Sequence, residues 1–259
     1  MTKEASFGSY EELVQTVKDD YQHRSMEKDS NGKLPPKWHN LDLTSGNREE
    51  INLWTYWQGV GVTHPKLMVV GQDWGCMKGQ NQTIKCIEAI ACDNSTDTQY
   101  LDNRHLNDNR DFTTDNNLIK IFKDLGRDIE HKRYSDLFFT NLCLGYRQDA
   151  TSGYFKQKWM TEDAEKYFPA LVKLMQPEAI VCLGEATAKT AYRVLEGKPL
   201  LMPEKFKGFL DNQTAEGIPL SSGIKFFAMA HPGGMGRANR SRWGGDIFKD
   251  WTILRNQIR

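Results

Sequence analysis

Four apolar runs punctuate the chain, and a turn-forming residue ends each or follows closely: Lys66-Leu67-Met68-Val69-Val70 before Gly71, Leu137-Phe138-Phe139-Thr140-Asn141-Leu142-Cys143-Leu144, Ala179-Ile180-Val181-Cys182-Leu183 before Gly184, and Lys225-Phe226-Phe227-Ala228-Met229-Ala230 before His231. A short run without polar alternation is the pattern of a strand buried on both faces. Amphipathic stretches separate the runs. One places Leu118, Ile121, Phe122 and Leu125 on a single face and stops at Gly126; a second runs from Thr161 to Met175 and ends at Pro177; a third opens after Gly184 and continues to Leu195. Strands alternating with helices define an α/β fold, here a three-layer α/β/α arrangement around a four-stranded, mostly parallel sheet.

Upstream, Ser9-Tyr10-Glu11-Glu12 reads as a capping box that opens a helix over 9–23, with Leu13, Val14, Val17 and Tyr21 as its apolar face. Residues 29–48 are rich in Gly, Pro, Asn and Ser and read as loop, and 50–58 reads as a short helix carrying Trp54 and Trp57. No composition shift divides the chain, so residues 1–259 are expected to form one domain: an N-terminal helix and loop over 1–65, and a core over 66–259 with a polar, acidic insert at 76–115. A loop of that length is uncommon inside a compact domain, and 84–91 is expected to be helical within it.

Charge narrows the classes of function. The 34 basic residues balance 34 acidic ones, which argues against a protein that coats nucleic acid by bulk electrostatics. Distribution matters more than the sum. After His231, Arg237, Arg240, Arg242, Lys249, Arg255 and Arg259 face only Asp246 and Asp250, a local excess suited to phosphates or to a solvated helix face. No apolar run approaches the roughly 18 residues of a membrane span, and the N-terminus lacks the basic and apolar regions of a signal peptide, so a cytoplasmic setting is expected. Five cysteines without a Cys-x-x-Cys spacing indicate neither a disulfide framework nor a zinc ribbon; buried free thiols are expected, with no metal and no cofactor.

Ligands of parallel α/β sheets bind outside the carboxyl ends of the strands. Asp73, Asn141 and His231 each stand at or just past such an end. Each is also an ordinary turn residue, but together they bring an acid, an amide and an imidazole to one edge of the sheet. The turns that carry them are Gly71-Gln72-Asp73-Trp74-Gly75 and His231-Pro232-Gly233-Gly234-Met235-Gly236, with Asn141 between them in sequence.

This set resembles the uracil-DNA glycosylase superfamily. Gly71-Gln72-Asp73 is similar to the Gly-Gln-Asp-Pro-Tyr turn of its uracil-specific enzymes, and the His231 loop to their His-Pro-Ser-Pro-Leu-Ser loop. Gln176-Pro177-Glu178-Ala179-Ile180-Val181-Cys182-Leu183-Gly184-Glu185-Ala186-Thr187-Ala188 resembles a strand and helix of the iron-sulfur branch, as does Phe112 ahead of Leu118 and Ile119. The likeness covers about residues 66 to 245 and leaves the N-terminal segment untouched.

The resemblance implies a monomeric DNA glycosylase that excises uracil or a related deaminated base from DNA. Breaking an N-glycosidic bond builds positive charge on the sugar and negative charge on the departing base. Asp73 is implied to stabilise the first and to position the attacking water; His231 is implied to donate a hydrogen bond to the second. Asn141, with Gln72, would read the base edge. Phe112 or Trp74 would stack on the flipped base. Met235 stands where the family has its apolar wedge, or else packs within the loop; Gly233 and Gly234 allow close backbone approach to DNA, and Arg237 and Arg240 would hold flanking phosphates.

Three departures bear on substrate and cofactor. Trp74-Gly75 replaces Pro-Tyr, so the resemblance implies that the aromatic that excludes the thymine methyl is missing from its usual place, with Gly75 at the base pocket leaving room for a larger base or Trp74 refilling the space. The cluster-binding cysteines of the iron-sulfur branch have no counterpart at recognisable spacing, so no cluster is expected. Gly233-Gly234 replaces Ser-Pro. Two other readings stand beside the leading one: a non-catalytic DNA- or protein-binding member of the same fold, and a nucleotide-processing α/β enzyme using the Gly184-Glu185-Ala186-Thr187 turn. Glu185 and the absence of a Gly-x-Gly-x-x-Gly or P-loop pattern speak against the last.

Overall fold

β1 (Leu67–Gly71) lies inside a five-stranded sheet of order β2-β1-β3-β5-β4, with β2 at Leu137–Asn141, β3 at Ala179–Leu183, β4 at Ile218–Pro219 and β5 at Lys225–Met229. These elements come from a computed structural model that describes residues 7–25, 27–28, 30–36, 64–73, 113–129, 134–145, 155–202 and 205–258. The expected helices at 50–58 and 84–91, and residues 76–112 of the polar insert, lie outside the described residues. β2, β1, β3 and β5 run parallel, and β4 pairs antiparallel with β5.

The sheet therefore has five strands rather than the four expected. β4 is two residues long and contains Pro219, so it leaves no apolar run in the sequence, and proline is tolerated because the strand lies at the edge. β2 also stops at Asn141 rather than Leu144. The backbone turns there, although the Leu142 and Cys143 N–H groups still bond to the Gly71 and Gln72 carbonyls at 3.0 and 2.9 Å.

Strand register sorts the core into two faces. Phe139, Val69, Val181 and Phe227 form one row, and Phe138, Met68, Ile180 and Phe226 the next, so the rows point to opposite sides of the sheet. Helix α2 (Thr113–Asp124) covers the first side: Phe122 lies 5.5 Å from Phe139 and 5.7 Å from Trp251, which opens the C-terminal 3₁₀ turn Trp251–Asn256. Helix α4 (Glu185–Glu196) covers the other, with Tyr192 edge-on to Phe226 at 5.4 Å, and packs beside α3 (Gln157–Met175) and, beyond it, α1 (Tyr10–His23). Burying each Val, Leu, Ile or Phe of these rows contributes about 1.5–3 kcal/mol, which is why the continuous apolar runs predict the strands so directly.

Local signals behave less uniformly. Ser9 caps α1 as expected, its Oγ accepting the Glu12 N–H at 3.2 Å, but the Glu12 carboxylate reaches back to the Gly8 N–H rather than to that of Ser9. α3 begins at Gln157, four residues before the expected start, continues through Pro169 and ends on a left-handed Gln176 before Pro177. Two further helices among the described residues were not expected, α5 (Lys205–Asn212) and α6 (Gly234–Arg242), while α7 (Ile247–Asp250) opens the C-terminal segment for which a helix face was one of the two readings. α6 changes the reading of the histidine loop, because Met235 and Arg237 stand on a helix.

Candidate active site

The strand order places the site. From β1 the chain passes to β2 on one side of it and then back across to β3 on the other, with α2 on one face and α3 on the opposite face. In open α/β sheets such a reversal is where ligands bind, outside the carboxyl ends of the strands, here those of β1 and β3. Asp73 follows β1, Gly184 follows β3, Asn141 ends the flanking β2 and His231 follows the flanking β5.

Gly71 and Asn141 are register partners, and the amide of Asn141 lies over Gly71 so closely that a Cβ there would overlap Asn141 Oδ1. Glycine at 71 is what lets the amide take this position. The two backbone bonds from Leu142 and Cys143 to Gly71 and Gln72 carry the pairing past the strand ends, so the Asp73 turn and the Asn141 turn are tied together. Gln72, half-buried, makes a long 3.4 Å contact from Nε2 to Asp73 Oδ1.

His231 is half-buried at the start of the next loop, and its Nδ1 accepts the Gly233 N–H at 2.9 Å. A neutral ring with Nδ1 accepting carries its proton on Nε2, which is then a donor. Burial holds its pKa below the usual 6.5, while the negative charge of Asp73 pulls it back up. The same charge, added to burial and to Asp163, pushes the buried Cys143 thiol well up. The Asp73 charge thus reaches the imidazole.

The loop after His231 is built on close approach. A Cβ on Gly236 would overlap the His231 carbonyl oxygen, and one on Gly233 would stand 2.9 Å from His231 Nδ1 and from Thr114 Oγ1. Gly184, at φ +95°, leaves a Cβ position 3.8 Å from that of His231. The buried Asn117 amide, on α2, donates to the Pro232 carbonyl at 2.6 Å and ties the loop to that helix. Asn117 was not among the expected site residues.

Of the residues expected to contact DNA, Gly234 is exposed and Met235 is 81% exposed, an unusual position for a large apolar side chain. Arg237 is exposed, its guanidinium 5.3 Å from the Phe248 ring. Arg240 departs from expectation. It is buried, donates to Asp250 through Nε and Nη2 at 2.7 and 2.9 Å and to Asp211 through Nη1 at 2.6 Å, and Gly245 lies flat against it. With its guanidinium committed to two carboxylates, it fastens α6 to its neighbours rather than facing a phosphate. Trp74, Gly75 and Phe112, expected at the base pocket, lie outside the described residues, as do Cys76, Cys86 and Cys92.

No protein-family model matches the chain, and no curated protein matches it in sequence. Among the described residues, no group of three or more His, Cys, Asp or Glu side chains is placed to hold a metal ion, and no helix is long and apolar enough to cross a membrane.

Proposed function

We propose that this protein is a DNA glycosylase of the uracil-DNA glycosylase fold, hydrolysing the N-glycosidic bond of uracil or a related deaminated base in DNA as a cytoplasmic monomer. The observation that carries the reading is the acceptance of the Gly233 N–H by His231 Nδ1, within reach of the Asp73 charge, at the carboxyl edge of a parallel sheet; it favours a neutral ring with its proton on Nε2.

The chemistry follows from those two groups. As the C1′–N bond breaks, its electron pair leaves with the base, and the Nε2–H of His231 donates to the carbonyl oxygen where that charge gathers. A neutral donor suits an anion that must then depart, since it gives up no proton and keeps its bond to Gly233. Asp73 offsets the positive charge on the sugar and orients the water whose oxygen bonds to C1′; the proton the water loses passes to the carboxylate. Asn141 presents a donor and an acceptor in one plane to the base edge. Met235 would enter the stack vacated by the base, and Arg237 would hold a flanking phosphate.

The test is an assay of the purified protein and its Asp73→Asn variant on oligonucleotides that each carry one uracil, hypoxanthine, xanthine or mismatched thymine, with alkaline cleavage of abasic sites. Scission on at least one substrate, lost in the variant, is expected. Folded wild-type protein that cuts none of them would overturn the reading and favour a binding module.

A further inference from the structure

The Asp163 carboxylate, on α3, is fully buried. Its Oδ2 accepts the Tyr21 hydroxyl and the Leu144 N–H, the latter at 2.8 Å, and its Oδ1 accepts Arg24 Nη2 at 2.6 Å. Arg24 in turn holds Asp20 through Nε and Nη2 at 2.9 and 2.7 Å and lies over the Tyr21 ring at 3.8 Å. The cluster joins the N-terminal helix to the turn that follows Asn141. Tyr21 also fills the space beside Gly145, where a Cβ would overlap its ring.

A carboxylate in such a place is costly, since desolvating an ion takes several kcal/mol and an apolar side chain would fill the volume without that penalty. What only an acceptor can do there is satisfy the buried Leu144 N–H, which would otherwise be an orphan donor. That amide is next to Cys143, whose N–H bonds to the Gln72 carbonyl, and two residues from Leu142, whose N–H bonds to the Gly71 carbonyl. Gln72 precedes Asp73, and Gly71 lies under the Asn141 amide. A single grip on Leu144 therefore fixes the backbone beneath both the acid and the amide.

We infer that Asp163 is a positioning residue for the candidate site: through the Leu144 N–H it sets the Asn141 and Asp73 turns, and Tyr21 and Arg24 of the N-terminal segment hold its carboxylate in place. The inference makes α1 part of the active-site framework. Its catalytic consequence rests on the glycosylase reading; its structural consequence does not.

The experiment compares full-length wild type with Tyr21→Phe and Asp163→Leu, which leaves no acceptor for the Leu144 N–H, by amide hydrogen exchange and by single-turnover excision on a uracil-containing single-stranded oligonucleotide. In both variants the Leu142, Cys143 and Leu144 amides are expected to lose protection while those of Val181 and Phe227 keep theirs. Excision is expected to slow by about ten- to a hundredfold, the scale of a misplaced reacting group, with oligonucleotide affinity unchanged within about twofold. Tyr21→Phe, which removes one hydroxyl, decides the matter if Asp163→Leu does not fold. Unchanged protection at 142–144 would overturn the inference, as would protection lost equally across the sheet, or local loss with an undiminished rate in an active enzyme. If wild type excises nothing, the glycosylase reading fails and the exchange pattern alone decides whether Asp163 sets the turns.

Discussion

His231 Nδ1 accepts the N–H of Gly233, two residues further along its own loop, at 2.9 Å. Protonating that nitrogen would set two donors against each other, so the loop itself favours the neutral ring, in the same direction as burial. His231 is therefore expected to titrate below 6.5, its ordinary value. A depressed pKa means that the associated stability is fully present above 6.5 and is lost as pH falls through the lowered value. Because the Asp73 charge raises the pKa, Asp73→Asn is expected to lower it further. NMR titration of the imidazole checks both; a midpoint at or above 6.5, or an upward shift in the variant, would be fatal to this account.

Gly71 is the second lever on the site. A Cβ at 71 would overlap the Asn141 amide oxygen, the far end of a partly exposed side chain rather than backbone. Gly71→Ala is thus expected to cost less than about 1 kcal/mol of stability, within the range of surface-like changes. Turnover on uracil-containing DNA is expected to fall about a hundredfold, because the displaced amide no longer meets the base. Parallel melting and rate measurements separate the two effects. A rate within twofold of wild type would remove Asn141 from base recognition.

Which parts of this arrangement can be read in the sequence depends on whether a signal is local. The four parallel strands are legible because each is buried on both faces and so reads as one continuous apolar run. The turns bearing Asp73 and His231 are legible because they end such runs, whereas Asn141 lies inside its apolar run and the end of β2 there is not marked by composition. β4 is not, since two residues carry no periodicity. α6 hides because Gly234-Met235-Gly236-Arg237-Ala238-Asn239-Arg240-Ser241-Arg242 has no apolar stripe and two glycines in its first turn. Arg240 resembles its exposed neighbours in composition, and only the fold brings Asp211 and Asp250 to it. Asp163 did leave a trace: it interrupts the buried helical stripe of Met160, Ala164, Tyr167, Phe168 and Leu171. An acid in that stripe implies a buried partner, but nothing local names Tyr21, Arg24 or the Leu144 amide.

Arg237 and Arg240 stand three residues apart and are expected to respond oppositely. Arg240→Ala leaves the largely buried Asp250 without its cation and takes one of two from the half-exposed Asp211, which keeps Lys207. A loss of about 2–4 kcal/mol is expected, below the full penalty of a sealed ion pair because Asp211 meets solvent. The salt dependence of DNA binding should not change. Arg237→Ala should leave the melting temperature nearly unaltered while reducing the slope of log K against log salt by about one phosphate contact. Thermal melts and binding isotherms at several salt concentrations test the pair. The reverse pattern would return Arg240 to the DNA-binding surface.

Met235 supplies the last and sharpest test of how DNA is engaged. Its side chain is 81% exposed in the first turn of α6, just beyond the histidine loop, so packing among the described residues does not account for its position. Met235→Ala is accordingly expected to change stability by less than about 0.5 kcal/mol. A wedge matters only where a base must be drawn from a stacked duplex, at a cost of a few kcal/mol that the inserted side chain partly offsets. Excision from duplex DNA is therefore expected to fall about tenfold or more, while excision from a single strand stays within about twofold, since little stacking has to be replaced there. Equal losses on the two substrates would mean that Met235 shapes the loop around His231 and does not enter the DNA.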